Sequence, residues 1–230
     1  MMYDNKHILK LRSIARRAGL TKVLSKLYAK KDYEAIFEKA LLEIIKSTDT
    51  IYDIGANRGF YTKKFLSIAT SGKVLAFEPV PENNIFISNL LPSYKNLKVY
   101  PLALGSDNGT LPMSIGNDKL NATSKLKTEK AENDILVTVK KLDSFIEEND
   151  TIPNVIKIDV EGFELEVIKG MSITLRNDQV NVIAIEVHFK LLQENGYNNA
   201  PKEIVNILKQ NEFKVKWVDP SHIIATRGRN

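Results

Sequence analysis

Three acidic groups, each closing an apolar run, stand where this chain could do chemistry. Asp53 lies in Thr50-Ile-Tyr-Asp-Ile54 and is followed by Gly55-Ala-Asn-Arg-Gly59. Glu78 closes Lys73-Val-Leu-Ala-Phe-Glu78, and Asp159 and Glu161 close Asn154-Val-Ile-Lys-Ile-Asp-Val-Glu-Gly162. An ionised carboxylate only accepts hydrogen bonds, so such a set suits ligands bearing hydroxyls, an amine or positive charge. Gly55 and Gly59 let a backbone turn approach a ligand closely, and the helix after the turn presents free N–H groups. A dinucleotide turn reads G-x-G-x-x-G, with the pyrophosphate on the helix N-terminus. Here Asn57 and Phe60 occupy the second and third glycine positions, and Asp53 beside the turn would repel a pyrophosphate. An NAD-linked oxidoreductase is therefore disfavoured.

A cationic, amine-bearing ligand fits the turn better, and the α-amino group of S-adenosylmethionine answers that description. Glu78 follows Gly55 by 23 positions. That is near the spacing of about 20 at which an acid ending a second strand holds ribose hydroxyls. Asp159 and Glu161 sit at a strand's C-terminal tip, where open α/β sheets place their ligands. Glu186 and His188 lie two apart at the end of Val180-Asn-Val-Ile-Ala-Ile-Glu-Val187, and period-two geometry puts them on one face of that strand.

The elements that must position these residues alternate. Strands are predicted at 50–54, 73–78, 97–101, 154–159 and 180–187, with helices at 58–69, 82–91, 142–148 and from about 163. Residues 105–134 read as a polar excursion with a short extended piece at 110–115, and 135–139 as another extended segment. Residues 201–210 read as a helix. Residues 213–218 and 223–226 form two strands joined by a tight turn at Asp219-Pro-Ser-His222. Alternating β and α elements imply a doubly wound, mostly parallel sheet.

The motifs together resemble the FkbM family of S-adenosylmethionine-dependent methyltransferases. The resemblance rests on Asp53-Ile-Gly-Ala-Asn-Arg-Gly-Phe-Tyr-Thr62, Phe77-Glu-Pro79, Ala103-Leu-Gly105, Leu142-Asp-Ser-Phe145 and Ile156-Lys-Ile-Asp-Val-Glu-Gly-Phe-Glu164, in family order over roughly residues 50–190. It implies an α/β class I methyltransferase-like (Rossmann-like) fold with seven strands in the order 3-2-1-4-5-7-6 and an antiparallel last strand. It also implies that Asp53, Gly55, Ala56, Asn57, Gly59 and Phe60 line the methionine end of the cofactor, with Tyr61 and Thr62 close by. Glu78 with Pro79 would hold the ribose, Ala103 and Leu104 would touch the adenine, and Asp159 would share the pocket.

The activity implied is O-methylation of a sugar or glycan hydroxyl, with S-adenosylhomocysteine as product. The alternatives are a small natural product as acceptor and a catalytically silent docking module. A hydroxyl is a weak nucleophile, so a general base helps. Asp159, Glu161, Glu186 and His188 are candidates, with Asp159, Glu161 and His188 assigned as catalytic. The same four could offer oxygen and nitrogen to a divalent metal. Strand-tip carboxylates ordinarily serve without one, and no metal ligand is assigned.

Composition frames this reading. The 230 residues suffice for one well-buried α/β domain, and the absence of cysteine excludes disulfides and thiolate metal sites. No apolar run reaches the length of about 18 that a membrane span needs, and no secretion signal is read, so a cytoplasmic location is expected. The net charge of +5 is uneven: residues 1–46 hold 11 Lys/Arg against 5 Asp/Glu, and the other 184 hold 22 against 23. This assigns 1–46 as a basic helical arm or lid and 47–230 as the cofactor-binding domain. Helices are expected near Ile8–Leu27 and Tyr33–Ile45. A basic amphipathic arm suits peripheral contact with a membrane or anionic carrier. Nucleic acid is not expected, because aromatic residues do not alternate with basic ones as a stacking platform requires. The sequence assigns no oligomeric state.

Overall fold

A computed structural model describes residues 33–116, 124–126 and 131–228 of the chain. The expected helix near Ile8–Leu27 lies outside these residues. The described chain opens with α1 (Tyr33–Leu42) and β1 (Thr50–Ile54), followed by α2 (Phe60–Ile68), β2 (Lys73–Phe77), α3 (Pro81–Ser88) and β3 (Leu97–Tyr100). Four short strands come next in sequence: β4 (Ala103–Leu104), β5 (Gly109–Ser114), β6 (Lys125–Leu126) and β7 (Ile135–Lys140). Then come α4 (Leu142–Asn149), β8 (Val155–Ile158), α5 (Glu164–Lys169), β9 (Val182–Glu186), α6 (Phe189–Glu194), α7 (Ala200–Gln210), β10 (Lys214–Trp217) and β11 (His222–Thr226).

Seven strands form the main sheet in the order β10-β11-β9-β8-β1-β2-β3. With its strands numbered along the chain, that is the expected order 3-2-1-4-5-7-6 read from the opposite edge. Strands β1, β2, β3, β8 and β9 pair in parallel, whereas β11 runs antiparallel to both β9 and β10. The central strands read as near-continuous apolar runs because helices cover both faces. Every residue of Val155–Ile158 is buried, and in β9 only Glu186 is not.

Each face has its own apolar layer. On one side Leu142, Phe145, Leu165, Ile168, Ile204 and Leu208 pack on Tyr52, Ile156 and Ile183. In α7 the buried residues Ala200, Ile204 and Leu208 recur every four positions, and Pro201 opens the helix where its missing N–H costs nothing. On the other side Phe37 and Leu41 of α1 join Phe65 and Leu66 of α2 against Ile51, Val155, Val182 and Ile224. The end of the arm assigned to residues 1–46 thus contributes to this core. Among the described residues, no helix is long and apolar enough to cross a membrane.

The polar excursion contains more structure than the sequence led us to expect. Strands β4, β7, β5 and β6 form a second sheet in that order, with its own core of Val80, Ala103, Met113, Leu126, Val137 and Val139. Its two-residue strands are too short to show periodicity. A second correction concerns β9, which ends at Glu186; His188 lies beyond it as the residue preceding α6. The period-two relation between Glu186 and His188 therefore does not apply, and the turn into α6 brings them together instead.

Phe37 is 1% exposed. Replacing Phe37 with Ala is expected to lower the unfolding free energy by about 3–5 kcal/mol, measured by urea denaturation of the full chain. A change within experimental error would show that α1 is a detachable lid and not part of the core.

Candidate active site

A cleft opens at the C-terminal ends of β1, β2, β8 and β9, beside the switch point between β1 and β8 where open α/β sheets bind ligands. The second sheet supplies an apolar wall from Ala103, Leu104, Met113 and Leu126. The cleft measures about 180 Å³. One water needs roughly 10–15 Å³ by the same measure, so the space suits an organic ligand and not merely a few ordered waters.

The turn after β1 is built for close approach. Gly55 has φ +76°, and a Cβ there would lie 1.8 Å from the Asp159 carbonyl oxygen, so only glycine fits. The N–H groups of Gly55 and Ala56 both donate to the Phe77 carbonyl at 3.0 Å, tying the turn to β2. Glu78 then folds back on the same turn. Its Oε2 accepts the Asn57 N–H at 2.8 Å and its Oε1 accepts the Val80 N–H at 2.9 Å. Burial pushes its carboxyl up to about 6, although the two backbone donors pull the other way. Each oxygen keeps acceptor capacity, and Glu78 lines the cleft. Nearby, Asn83 also lines the cleft, and its Oδ1 is buried without a hydrogen-bond partner.

A buried cation organises the next part. Lys157 lies opposite Asp53 in the β1–β8 register. Its Nζ stands 3.1 Å from Asp159 Oδ2 and 3.6 Å from Asp53 Oδ1, and 4.8 Å from the centre of the Tyr61 ring. Burial works against the ammonium charge, but Asp159 and Asp53 outweigh it and hold Lys157 protonated. Burial raises Asp53 despite Lys157 and the 2.6 Å bond donated by Thr62 Oγ1. Burial also opposes the charge of Asp159, yet Lys157 and His188 hold that carboxyl below its ordinary value.

The third part centres on His188. Its Nδ1 lies 2.7 Å from Oε1 of the fully buried Glu164, which also accepts the Gly162 N–H at 2.9 Å. The ring's Nε2 faces Glu161 Oε2 at 3.4 Å and both Asp159 Oδ1 and Glu186 Oε1 at 3.7 Å. Burial pulls His188 down, but Glu164 and Asp159 prevail and hold it up at about 9. Burial raises Glu161, His188 pulls it back, and Asp159 pushes it up again; the balance lies at about 7. Glu161 adopts φ +50°, a left-handed conformation uncommon outside glycine, and so projects from the tip of a strained turn.

A second histidine lies behind this wall. His222 Nδ1 is 2.8 Å from Asp219 Oδ2, and its ring stacks on Phe37 with centroids 4.1 Å apart. Its Nε2 stands 3.6 Å from Glu186 Oε2 and 3.7 Å from Glu34 Oε2. Among the described residues, two groups bring metal-ligating atoms within 4.8 Å of one another: Asp159, Glu186 and His188, and Glu34, Glu186 and His222.

Of the expected site residues, Gly55, Asn57, Glu78, Pro79, Ala103, Leu104, Asp159, Glu161 and His188 line the cleft, together with Glu186. The others do not, and each has a physical reason. Asp53 is fully buried and faces Lys157 and Thr62. Thr62 is committed to Asp53, and Tyr61 donates to Glu34. Ala56 is buried, Gly59 caps α2 at φ +80°, and Phe60 points outward beneath Lys64. Lys157, Glu164, Glu34 and His222 escaped the sequence reading. Lys157 interrupts an apolar strand, and that was the one available signal; the others depend on contacts between distant segments.

Comparison with known proteins agrees with this fold. A model of the methyltransferase FkbM domain matches residues 53–215. The hexuronic acid methyltransferase AglP of Haloferax volcanii is 31% identical over 180 residues, covering 75% of this chain and 66% of AglP. Methyltransferase 1 of Beauveria bassiana is 28% identical over 143 residues, covering 53% of this chain and 57% of that protein. The chain thus spans less than two thirds of the length of each of these two relatives. Among solved structures, a methyltransferase FkbM from Methylobacillus flagellatus superposes with TM-score 0.55 at 17% identity, over 80% of this chain and 44% of the other. SMU.1697c of Streptococcus mutans, solved in complex with SAH, superposes with TM-score 0.53 at 13% identity, over 87% and 99%. At these identities the likeness is one of fold.

Substituting Lys157 with Met leaves the buried Asp53 and the cleft-lining Asp159 without their cation. Removing one partner of a buried ion pair costs about 3–5 kcal/mol, and that loss is expected here at neutral pH. Without Lys157, Asp53 and Asp159 bind protons more tightly folded than unfolded. The deficit should therefore shrink as pH falls through their raised values. Urea denaturation of both proteins at several pH values checks this, and an equal deficit at every pH would contradict the ion-pair assignment.

Proposed function

The chain belongs to the FkbM methyltransferase domain family, and on that premise we propose that it is an S-adenosylmethionine-dependent O-methyltransferase acting on a sugar or glycan hydroxyl. The observation that carries this reading is Glu78, whose two oxygens are each fixed by a backbone N–H while they face the cleft. A carboxylate held in that way receives the paired hydroxyls of a ribose. Gly55 lets the β1 turn pack directly on the Asp159 backbone at the edge of the cleft, and the unpartnered Oδ1 of Asn83 offers an acceptor to a base or sugar donor. The acidic wall of Asp159, Glu161 and Glu186 favours a cationic ligand over an anionic one.

Bound there, the cofactor supplies an electrophilic methyl group on a sulfonium centre that leaves as a neutral thioether. The protein's task is then to position the acceptor oxygen and take its proton. Glu161 suits the second role, because a carboxyl near 7 is largely ionised just above neutrality yet still basic enough to accept. His188 retains its own proton up to about 9, so at neutral pH it holds Glu161 and Asp159 in place and does not act as the base itself. The name of AglP, a hexuronic acid methyltransferase, supports a sugar as the acceptor.

Two outcomes test this reading. Affinity for S-adenosylhomocysteine should weaken as pH falls through about 6, where Glu78 takes up a proton. Glu78→Gln should cost about 1.5–3 kcal/mol of binding and remove that pH dependence, measured by calorimetry; a pH-independent affinity in the parent would exclude Glu78 from the ribose site. With labelled S-adenosylmethionine and sugar acceptors, turnover should rise through about pH 7 as Glu161 ionises. Glu161→Gln should lower kcat by roughly 100-fold or more and abolish this limb without changing S-adenosylhomocysteine affinity. Transfer only to non-sugar acceptors would overturn the acceptor class, and full turnover in the variant would overturn the base.

A further inference from the structure

His222 is the more deeply buried of the two described histidines, at 2% exposure. Asp219 holds its Nδ1 at 2.8 Å, which fixes the ring and directs Nε2 towards the carboxylates. That nitrogen is buried and makes no hydrogen bond. It points between two carboxylates, at 3.6 Å from Glu186 Oε2 and 3.7 Å from Glu34 Oε2. An imidazolium serving only as an ion-pair partner would close on one oxygen, as Nδ1 does on Asp219, because charge-assisted bonds lie at about 2.7–2.9 Å. Nε2 instead stays apart from both.

We propose that Glu34, Glu186 and His222 form a binding site for a divalent transition-metal ion of the zinc type, which fastens α1 to the β9–β11 side of the sheet. Zinc bonds nitrogen and oxygen at about 2.0–2.2 Å, so tetrahedral ligands lie roughly 3.4 Å apart. The separations of 3.6 and 3.7 Å from Nε2 need only a small contraction. Supporting contacts surround the ligand set. Asp219 orients the imidazole, and the Tyr61 hydroxyl donates to Glu34 Oε1, leaving Oε2 for the ion. Glu186 and His222 face each other across the antiparallel β9–β11 pair, so the sheet fixes their separation. The Glu34 side chain is 47% exposed, which gives an ion a path from solvent and leaves the fourth position to water. One imidazole with two carboxylates suits zinc better than magnesium or calcium, which favour oxygen alone.

The neighbouring group of Asp159, Glu186 and His188 is the weaker candidate. Asp159 already has a cation in Lys157, and the group lines the catalytic cleft. The proposed ion shares Glu186 with the cleft wall through its other oxygen, Oε1 facing His188 and Oε2 facing His222.

The test uses the untagged full-length chain, stripped with chelator and titrated calorimetrically with zinc chloride, with thermal unfolding followed in parallel. The expected result is one ion per chain and a raised Tm. Glu34→Gln, on a half-exposed side chain whose Oε1 can still accept the Tyr61 hydroxyl as an amide oxygen, should weaken zinc binding at least tenfold and remove the Tm gain. His222→Gln should do the same where it folds, and His188→Gln should leave zinc binding unchanged. The site is overturned if the parent binds no zinc, if Glu34→Gln binds as tightly as the parent, or if His188→Gln abolishes binding.

Discussion

The candidate site depends on one buried ammonium. Lys157 sits in the middle of the sheet, one strand away from Asp53, and reaches both Asp53 and Asp159. Without it the tips of β1 and β8 would carry two like charges in a region with little water to screen them. With it, Asp159 stays ionised at the cleft while its backbone carbonyl packs against Gly55. The turn that approaches a ligand and the acid that faces it are thus one assembly.

That assembly divides the cleft into two electrostatic regions. At the β2 end, Glu78 is fixed by backbone donors and carries a proton affinity not far below neutrality. At the β8–β9 end, His188 binds together three carboxylates that would otherwise repel one another. Its charge is set from behind by Glu164, which never touches the cleft. The proposed reaction needs this division: one end recognises a neutral sugar, and the other receives a cation and a proton.

Much of this was legible in the sequence, because parallel central strands are apolar on both faces and end in functional residues. Thr50–Ile54, Lys73–Phe77 and Val155–Ile158 appear close to where their apolar runs and the following turns placed them. The turn glycines and Glu78 were legible because they lie within one β–turn–α–β stretch. What escaped depends on register and on contacts between distant segments. Nothing in the segment around Asp53 reveals that Lys157, 104 positions later, lies opposite it. His222 and Glu34 meet only because β11 inserts beside β9 while α1 crosses the same face. The second sheet was missed since two of its strands have only two residues each.

The central claim is that the cleft at the strand tips holds the nucleoside cofactor of a methyl-transfer reaction. The most direct measurement is a calorimetric titration of the full-length chain with S-adenosylhomocysteine at neutral pH. Saturable binding of one molecule per chain in the micromolar range is the predicted result. No heat and no saturation, in protein shown to be folded by circular dichroism, would contradict it and leave a docking module with this fold as the better description.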